Sequence, residues 1–365
     1  MIKLVKLLLT FSEKVDGAIL QNFVGPSKRK MDVLRVAKLK KYKEDILLNY
    51  QPLHKEIYTM DAQNFFTPSF LSAIQENTEA AFKSIMHEPR PGIYTFDMLQ
   101  PLFCQKLISE VIHYEKWILE TKRKILRPSL MNKYGVVLDD FGLTPILDTF
   151  VTDFIRPIAG VFYTEFGGSS LDSHHGFVVE YGNSKAVKVE LHVDDAEVSL
   201  NVCLGAKDFS GGQLFFRGVR CHEHTNSGTQ PEPEEIFNHC HVPGRAILHL
   251  GCNRHGVKPV TSGNGINFVL WCRSSTYRGL VKTKRDFSSW CRECKRKKEE
   301  EEETMHQVKR VKQEPEWKRH LELLLKREML SSFSFYAFGL FQKEMANDDD
   351  HARNIAYASK VSLFF

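Results

Sequence analysis

His192 and Asp194 stand two positions apart in the run "ELHVDDAEVSLNV" (residues 190–202), a stretch with the composition of a β-strand. Alternate strand residues project to one face, so an imidazole nitrogen and a carboxylate oxygen at this spacing start about 7 Å apart along the backbone and can lean together onto one metal ion. The same parity puts Val198, Leu200 and Val202 on that face. A third ligand must come from elsewhere, and "RAILHLGCNRHGVKP" offers His249 and His255. Two imidazoles and one carboxylate on one face of an octahedron leave three positions open. That arrangement suits non-haem iron(II) working on dioxygen, whereas a closed structural zinc site wants more histidine or thiolate.

The elements that must hold these residues change character along the chain. From Gly176 the hydrophobic period is two: "GFVVEYG", "KVELHVD", "VSLNVCLG", "QLFFRGV", "RAILHLG" and "INFVLWCR" are short runs rich in β-branched and aromatic residues, separated by turn formers. Upstream the period is helical. "PLFCQKLISEVIHYEKWI" places Leu102, Leu107, Val111 and Ile112 at helical intervals, and "TPILDTFVTDFIRPIAGVFYTEF" opens with Thr144 and Pro145 as helix-start signals and runs to Pro157. Strands after helices predict an α+β chain, an antiparallel barrel or jelly roll buttressed by helices. Residues 27–50 predict an amphipathic helix through Met31, Leu34, Leu39, Tyr42 and Ile46, with a solvated lysine-rich face. The Pro/Gly break in "HEPRPGIYTF" starts the main domain. The expected organisation is a mostly helical region over 1–90, the strand-rich domain over 91–275, a charged helical or flexible extension over 276–330 that breaks near Pro315, and a tail over 331–365.

Bulk properties narrow the function. With 365 residues the chain can bury a full core, and a net charge of +5 on that length argues against nucleic acid as the principal partner. Eight scattered cysteines read as reduced thiols, which points to a cytoplasmic or nuclear protein. No run approaches the roughly 20 apolar residues that cross a bilayer, and the N-terminal "LVKLLLTF" lacks the pattern of a signal peptide. Cys291 and Cys294 form a single C-x-x-C that would need a second pair, from "RCHEH" or "NHCH", to hold zinc; they are read as thiols, and His222 and His224 as loop residues. "KRKK" beside Glu299–Glu303 is read as opposite charge blocks neutralising each other along a helix.

The stretch from "YTFDMLQPLFCQKLISEVIHYE" through "HVDDAEVSLNVCLGAKDFSGGQLFFRG" to "HVPGRAILHLGCNRHGVKPVTSGNGINFVLWCRSS", roughly residues 93–275, resembles the prolyl-4-hydroxylase-like 2-oxoglutarate- and Fe(II)-dependent dioxygenases. The closer likeness is to a eukaryotic branch named only for its oxygenase domain, in what looks like its plant form. The resemblance implies a double-stranded β-helix (jelly roll). It also implies Fe(II), 2-oxoglutarate and O2, with L-ascorbate as reductant, and a C–H bond of a peptidyl proline or lysine as substrate.

In that family the distal histidine is followed by Pro four residues on and Gly eight residues on; His255, Pro259 and Gly263 match, so the resemblance makes His192, Asp194 and His255 the iron ligands. It casts Tyr181, Asn201 and Trp271 as neighbours of 2-oxoglutarate and Gly211-Gly212 as a hairpin turn before "QLFF". One position departs: where the family carries Arg or Lys for the far carboxylate of 2-oxoglutarate, this chain has Asn264 and Gly265, with Lys258 and Arg273 as the nearby cations. That departure is the warrant for an alternative, a catalytically impaired barrel serving as a protein-binding module.

Overall fold

The run that holds His192 and Asp194 does not form one strand. In the computed structural model, which describes residues 26–127, 134–182, 185, 188–284, 286–313 and 323, it is divided between two sheets. β5 (Val189–His192) belongs to a four-stranded antiparallel sheet of order β5-β10-β7-β8, with β7 Leu214–Val219, β8 Ile236–His239 and β10 Asn253–Val257. β6 (Val198–Gly211) belongs to a seven-stranded antiparallel sheet of order β1-β2-β9-β6-β11-β4-β3. Its other members are β1 His87–Arg90, β2 Ile93–Asp97, β3 Gly135–Val137, β4 Ser173–Gly182, β9 Arg245–Leu250 and β11 Val260–Arg273. The two sheets are the jelly roll that the sequence predicts, flanked by helices.

The large sheet is buried on both faces, and strand parity sorts its residues. Val198, Leu200 and Val202 of β6, with Phe268 and Leu270 of β11, join the core shared with the helices. Phe177, Val179 and Tyr181 of β4, with Val269 and Trp271 of β11, join a second cluster with Leu214, Phe216 and Val257 of the small sheet. The apolar members of "VSLNV" therefore turn away from the two ligand candidates, because the bend over residues 193–197 resets the alternation when the chain changes sheets.

Helices cover the outer face of the large sheet. α1 (Pro26–Asn49) leads into the domain, followed by α2 (Pro68–Glu76), α3 (Glu79–Ile85), α4 (Pro101–Glu120), α5 (Thr144–Thr149), α6 (Arg156–Phe162) and α7 (Ser275–Val281). Leu107 and Val111 of α4 are buried, while Leu102 and Ile112 are exposed. On the same buried side, Glu110 is fully buried and accepts hydrogen bonds from the Tyr50 and Tyr58 hydroxyls at 2.6 and 2.9 Å and from the His54 amide at 2.6 Å. This carboxylate ties the segment after α1 to the domain.

Three sequence expectations need correction. Leu39, placed on the apolar stripe of α1, is 45% exposed; among the described side chains of the helix Ile46 is buried and Tyr42 partly covered, with Tyr50 buried just beyond its end, while the side chains of Met31 and Leu34 lie outside those described. The helix expected over 144–166 is interrupted by a π-helical turn over Phe150–Ile155 before α6, and Pro157 sits in the first turn of α6 rather than ending the run. There its missing N–H costs little. Gly211 and Gly212 both have positive φ, +73° and +61°, but they do not make a hairpin within one sheet. They carry the chain from β6 in the large sheet to β7 in the small one.

The chain forms two compact units, Met1–Arg285 and Asp286–Phe365. Within the second, α8 (Arg292–Gln313) pairs Lys295 with Glu299 and Arg296 with Glu300, the neutralisation along a helix expected from the charge blocks. The break expected near Pro315 and the tail over 331–365 lie outside the described residues. No described cysteine is in a disulfide, and no described helix is long and apolar enough to cross a membrane.

Candidate metal centre

Antiparallel pairing of β5 with β10 sets His192 directly opposite His255. Their ring centroids are 4.4 Å apart. Asp194 lies just beyond the end of β5, fixed by a hydrogen bond from its amide to the Gly251 carbonyl at 2.9 Å. Its carboxylate lies between the two imidazoles, Oδ1 at 3.5 Å from His192 Nε2 and Oδ2 at 3.6 Å from His255 Nε2. One ligand atom from each of the three residues lies within 4.8 Å of the others. The expectation that both His192 and Asp194 sit on a strand is thus half right: the loop, not the pleat, aims the carboxylate.

Backbone contacts choose which nitrogen faces inward. His192 Nδ1 donates to the Glu190 carbonyl at 2.8 Å and His255 Nδ1 donates to the Asn253 carbonyl at 2.9 Å, so each ring turns its Nε2 toward Asp194. The Ser199 hydroxyl donates to Asp194 Oδ2 at 2.6 Å and fixes the carboxylate from behind. Burial pushes the Asp194 carboxyl up, but the His255 and His192 imidazoles outweigh it and hold the group well below the usual carboxylate range. Burial brings His255 down to about 3. Near neutral pH the site therefore offers an ionised carboxylate and a neutral imidazole at His255, the protonation states that metal ligands need. Donor types, inward nitrogens and a hydrogen-bonded outer shell all fit a divalent metal of the iron class.

The three residues open onto a pocket between the sheets. Tyr181, Asn201 and Trp271, the positions cast as cosubstrate neighbours, all line it, together with Ser199, Val269, Leu214 and Val257. Trp271 is nine-tenths buried, and its indole N–H has no hydrogen-bond partner. Asn201 Oδ1 accepts from Asn267 Nδ2 at 2.7 Å. His249, weighed in the sequence as a third ligand, also lines the pocket, with its ring 4.7 Å from that of His255. It is not in the three-residue cluster. Sequence reasoning missed Ser199 and Asn267, although the alternation Ser199, Asn201 within apolar "VSLNVCL" marks a polar inner face.

Comparison with known proteins bears on the family of the chain. The OGFOD2-like domain family matches residues 46–168, a segment before the three candidate ligands. The 2-oxoglutarate and iron-dependent oxygenase domain-containing protein CP2 of Arabidopsis thaliana is 54% identical over 253 residues, 69% of this chain and 64% of that protein. Its Arabidopsis relative ICU11 is 53% identical over 262 residues, 72% of this chain and 65% of that protein. The chain belongs to the family of 2-oxoglutarate and iron-dependent oxygenase domain proteins. It spans a little under two thirds of the length of these two relatives. The human oxygenase domain-containing protein 2 is 32% identical over 244 residues, 65% of this chain and 66% of that protein. Among solved structures, a Pseudomonas putida prolyl-4-hydroxylase is similar at 11% identity with a TM-score of 0.37, covering 56% of this chain and 98% of that one.

Proposed function

We propose that this member of the oxygenase-domain family is an iron(II)-dependent dioxygenase that hydroxylates a C–H bond at the expense of a 2-oxo acid. The observation that carries the reading is Asp194, ionised, buried and gripped by Ser199 between two imidazoles whose Nδ1 atoms are tied to main-chain carbonyls. Iron(II) bound there would supply O2 chemistry in which the 2-oxo acid loses CO2 to become a carboxylic acid one carbon shorter while the second oxygen atom enters the substrate C–H bond. His192, Asp194 and His255 would hold the metal. Tyr181, Asn201 and Trp271 would orient the cosubstrate, and the apolar walls from Val257, Val269 and Leu214 would keep water out.

The substrate class is a peptidyl side chain, proline or lysine. A mouse relative named procollagen-lysine,2-oxoglutarate 5-dioxygenase 2, 28% identical over 194 residues that make up 23% of that protein, supports lysine. L-ascorbate would serve to return oxidised iron to Fe(II).

Titration of anaerobic Fe(II)-loaded protein with 2-oxoglutarate should produce a weak visible charge-transfer band, and release of the decarboxylated acid should disappear in Asp194→Ala. Metal binding with no band and no turnover would favour the second reading, a barrel retained as a protein-binding module. Its support is the lack of a lysine or arginine among the described residues that line the pocket.

A further inference from the structure

The inner face of β11 carries Trp271, Val269 and Asn267 and then reaches Gly265. Cα pairing sets Gly265 opposite Tyr181, a pocket residue, so strand parity aims position 265 into the same interior. That space is already taken. A Cβ at 265 would lie 2.9 Å from Phe209 Cζ and 3.0 Å from its Cε2, and a Cβ at Gly212 would meet the same ring closer still. The Phe209 ring thus occupies a slot that exists because two residues lack side chains. It packs against the pocket-side apolar cluster, and His241 meets it edge-on at a centroid distance of 5.7 Å.

Among the described residues lining the pocket none is Lys or Arg. Arg273 is engaged elsewhere, donating through Nε to the Asp195 carbonyl at 2.7 Å and through Nη2 to its carboxylate at 3.0 Å. Lys258 is not among the lining residues. His241 donates Nε2–H to the Gly212 carbonyl and accepts at Nδ1 from Asn267, and burial lowers its pKa, so it stays neutral. A carboxylate buried against these groups would have neither a cation nor a set of aligned donors, which is costly.

Resting on the oxygenase reading above, we propose that Phe209, seated over Gly265, makes this end of the pocket a specificity element favouring a 2-oxo acid with an uncharged tail over the dicarboxylate 2-oxoglutarate. 2-Oxopentanoate keeps the chelating head and the five-carbon chain and drops only the far charge. Calorimetric titration of the full chain, loaded with Mn(II) so that no turnover occurs, should show 2-oxopentanoate binding at least as tightly as 2-oxoglutarate. In Gly265→Arg combined with Phe209→Ala, the ratio should shift toward 2-oxoglutarate by about tenfold or more, the scale expected when one buried charge gains a partner.

A wild-type preference of tenfold or more for 2-oxoglutarate would overturn the inference and leave the oxygenase reading intact. Failure of both acids to bind the metal-loaded protein would overturn the oxygenase reading, and this one with it. The wild-type comparison needs no substitution, so a double variant that does not fold cannot rescue the proposal.

Discussion

The two ends of the space between the sheets are built by opposite rules. Around Asp194 every polar atom that matters has a partner: two imidazoles anchored by backbone carbonyls, a serine hydroxyl and a backbone amide held by Gly251. Around Gly265 the wall is an aromatic ring resting on two glycines, beside a neutral histidine and a pair of asparagines. Buried charge is tolerated where partners converge on it and avoided where they do not. Under the proposed function the metal and the head of the cosubstrate belong at the first end, and the second suits an uncharged group.

A third place in the molecule shows what a carboxylate meets when burial outruns its partners. Asp140 is buried beside Asp139, with Lys43 Nζ 3.8 Å away, and burial pushes its carboxyl up to about 6 despite that lysine. A far carboxylate of 2-oxoglutarate would be worse placed than Asp140, since none of the described residues lining the pocket is Lys or Arg.

The largest effect should come from breaking the well-partnered end. Asp194→Ala removes the only carboxylate of the cluster and should weaken Mn(II) or Fe(II) binding by about a thousandfold or more while the fold persists; calorimetric affinities within tenfold of wild type would remove the metal assignment. Next is Asp140→Asn. A raised folded-state pKa means that the native protein keeps its proton between pH 4 and 6 while the unfolded chain releases it, so wild-type stability falls as pH rises through that window. The variant should therefore match wild type near pH 4 and exceed it at pH 7.5 by about 2–3 kcal/mol, as read by urea denaturation at the two pH values. Equal differences at both pH values would show that Lys43 cancels the effect of burial.

Ser199→Ala takes away one hydrogen bond to Asp194 and should lower metal affinity by about tenfold, with thermal stability little changed. The smallest effect belongs to Trp271→Phe. Loss of its unpartnered N–H should weaken binding of a 2-oxo acid by about fivefold and leave metal affinity alone. A parallel loss of metal affinity would mean that the indole supports the cluster rather than the cosubstrate.

Much of this was legible in the chain. The change from helical to alternating period at Gly176 announced helices followed by a strand-rich domain, because core-facing positions obey the geometry of the element that carries them. His192 and Asp194 were legible by residue type, which left His249 and His255 both open as the third residue; the family likeness, through Pro259 and Gly263, singled out His255, and the structure brings it together with the other two. The face of Val198, Leu200 and Val202 was not, since a bend that resets strand parity has no period of its own. Nor was the role of Ser199, whose partner is set by a loop conformation.

The sequence by itself determined which side chains are available to hold a metal and that Gly265 brings no charge, because identity and spacing are local properties. The tertiary structure alone decided that His192 and His255 face each other across two strands, that their Nε2 atoms point inward, and that Phe209 fills the space above Gly265. Those facts depend on strand register and on which chain segments pack together, and register is fixed by contacts between residues far apart in the chain.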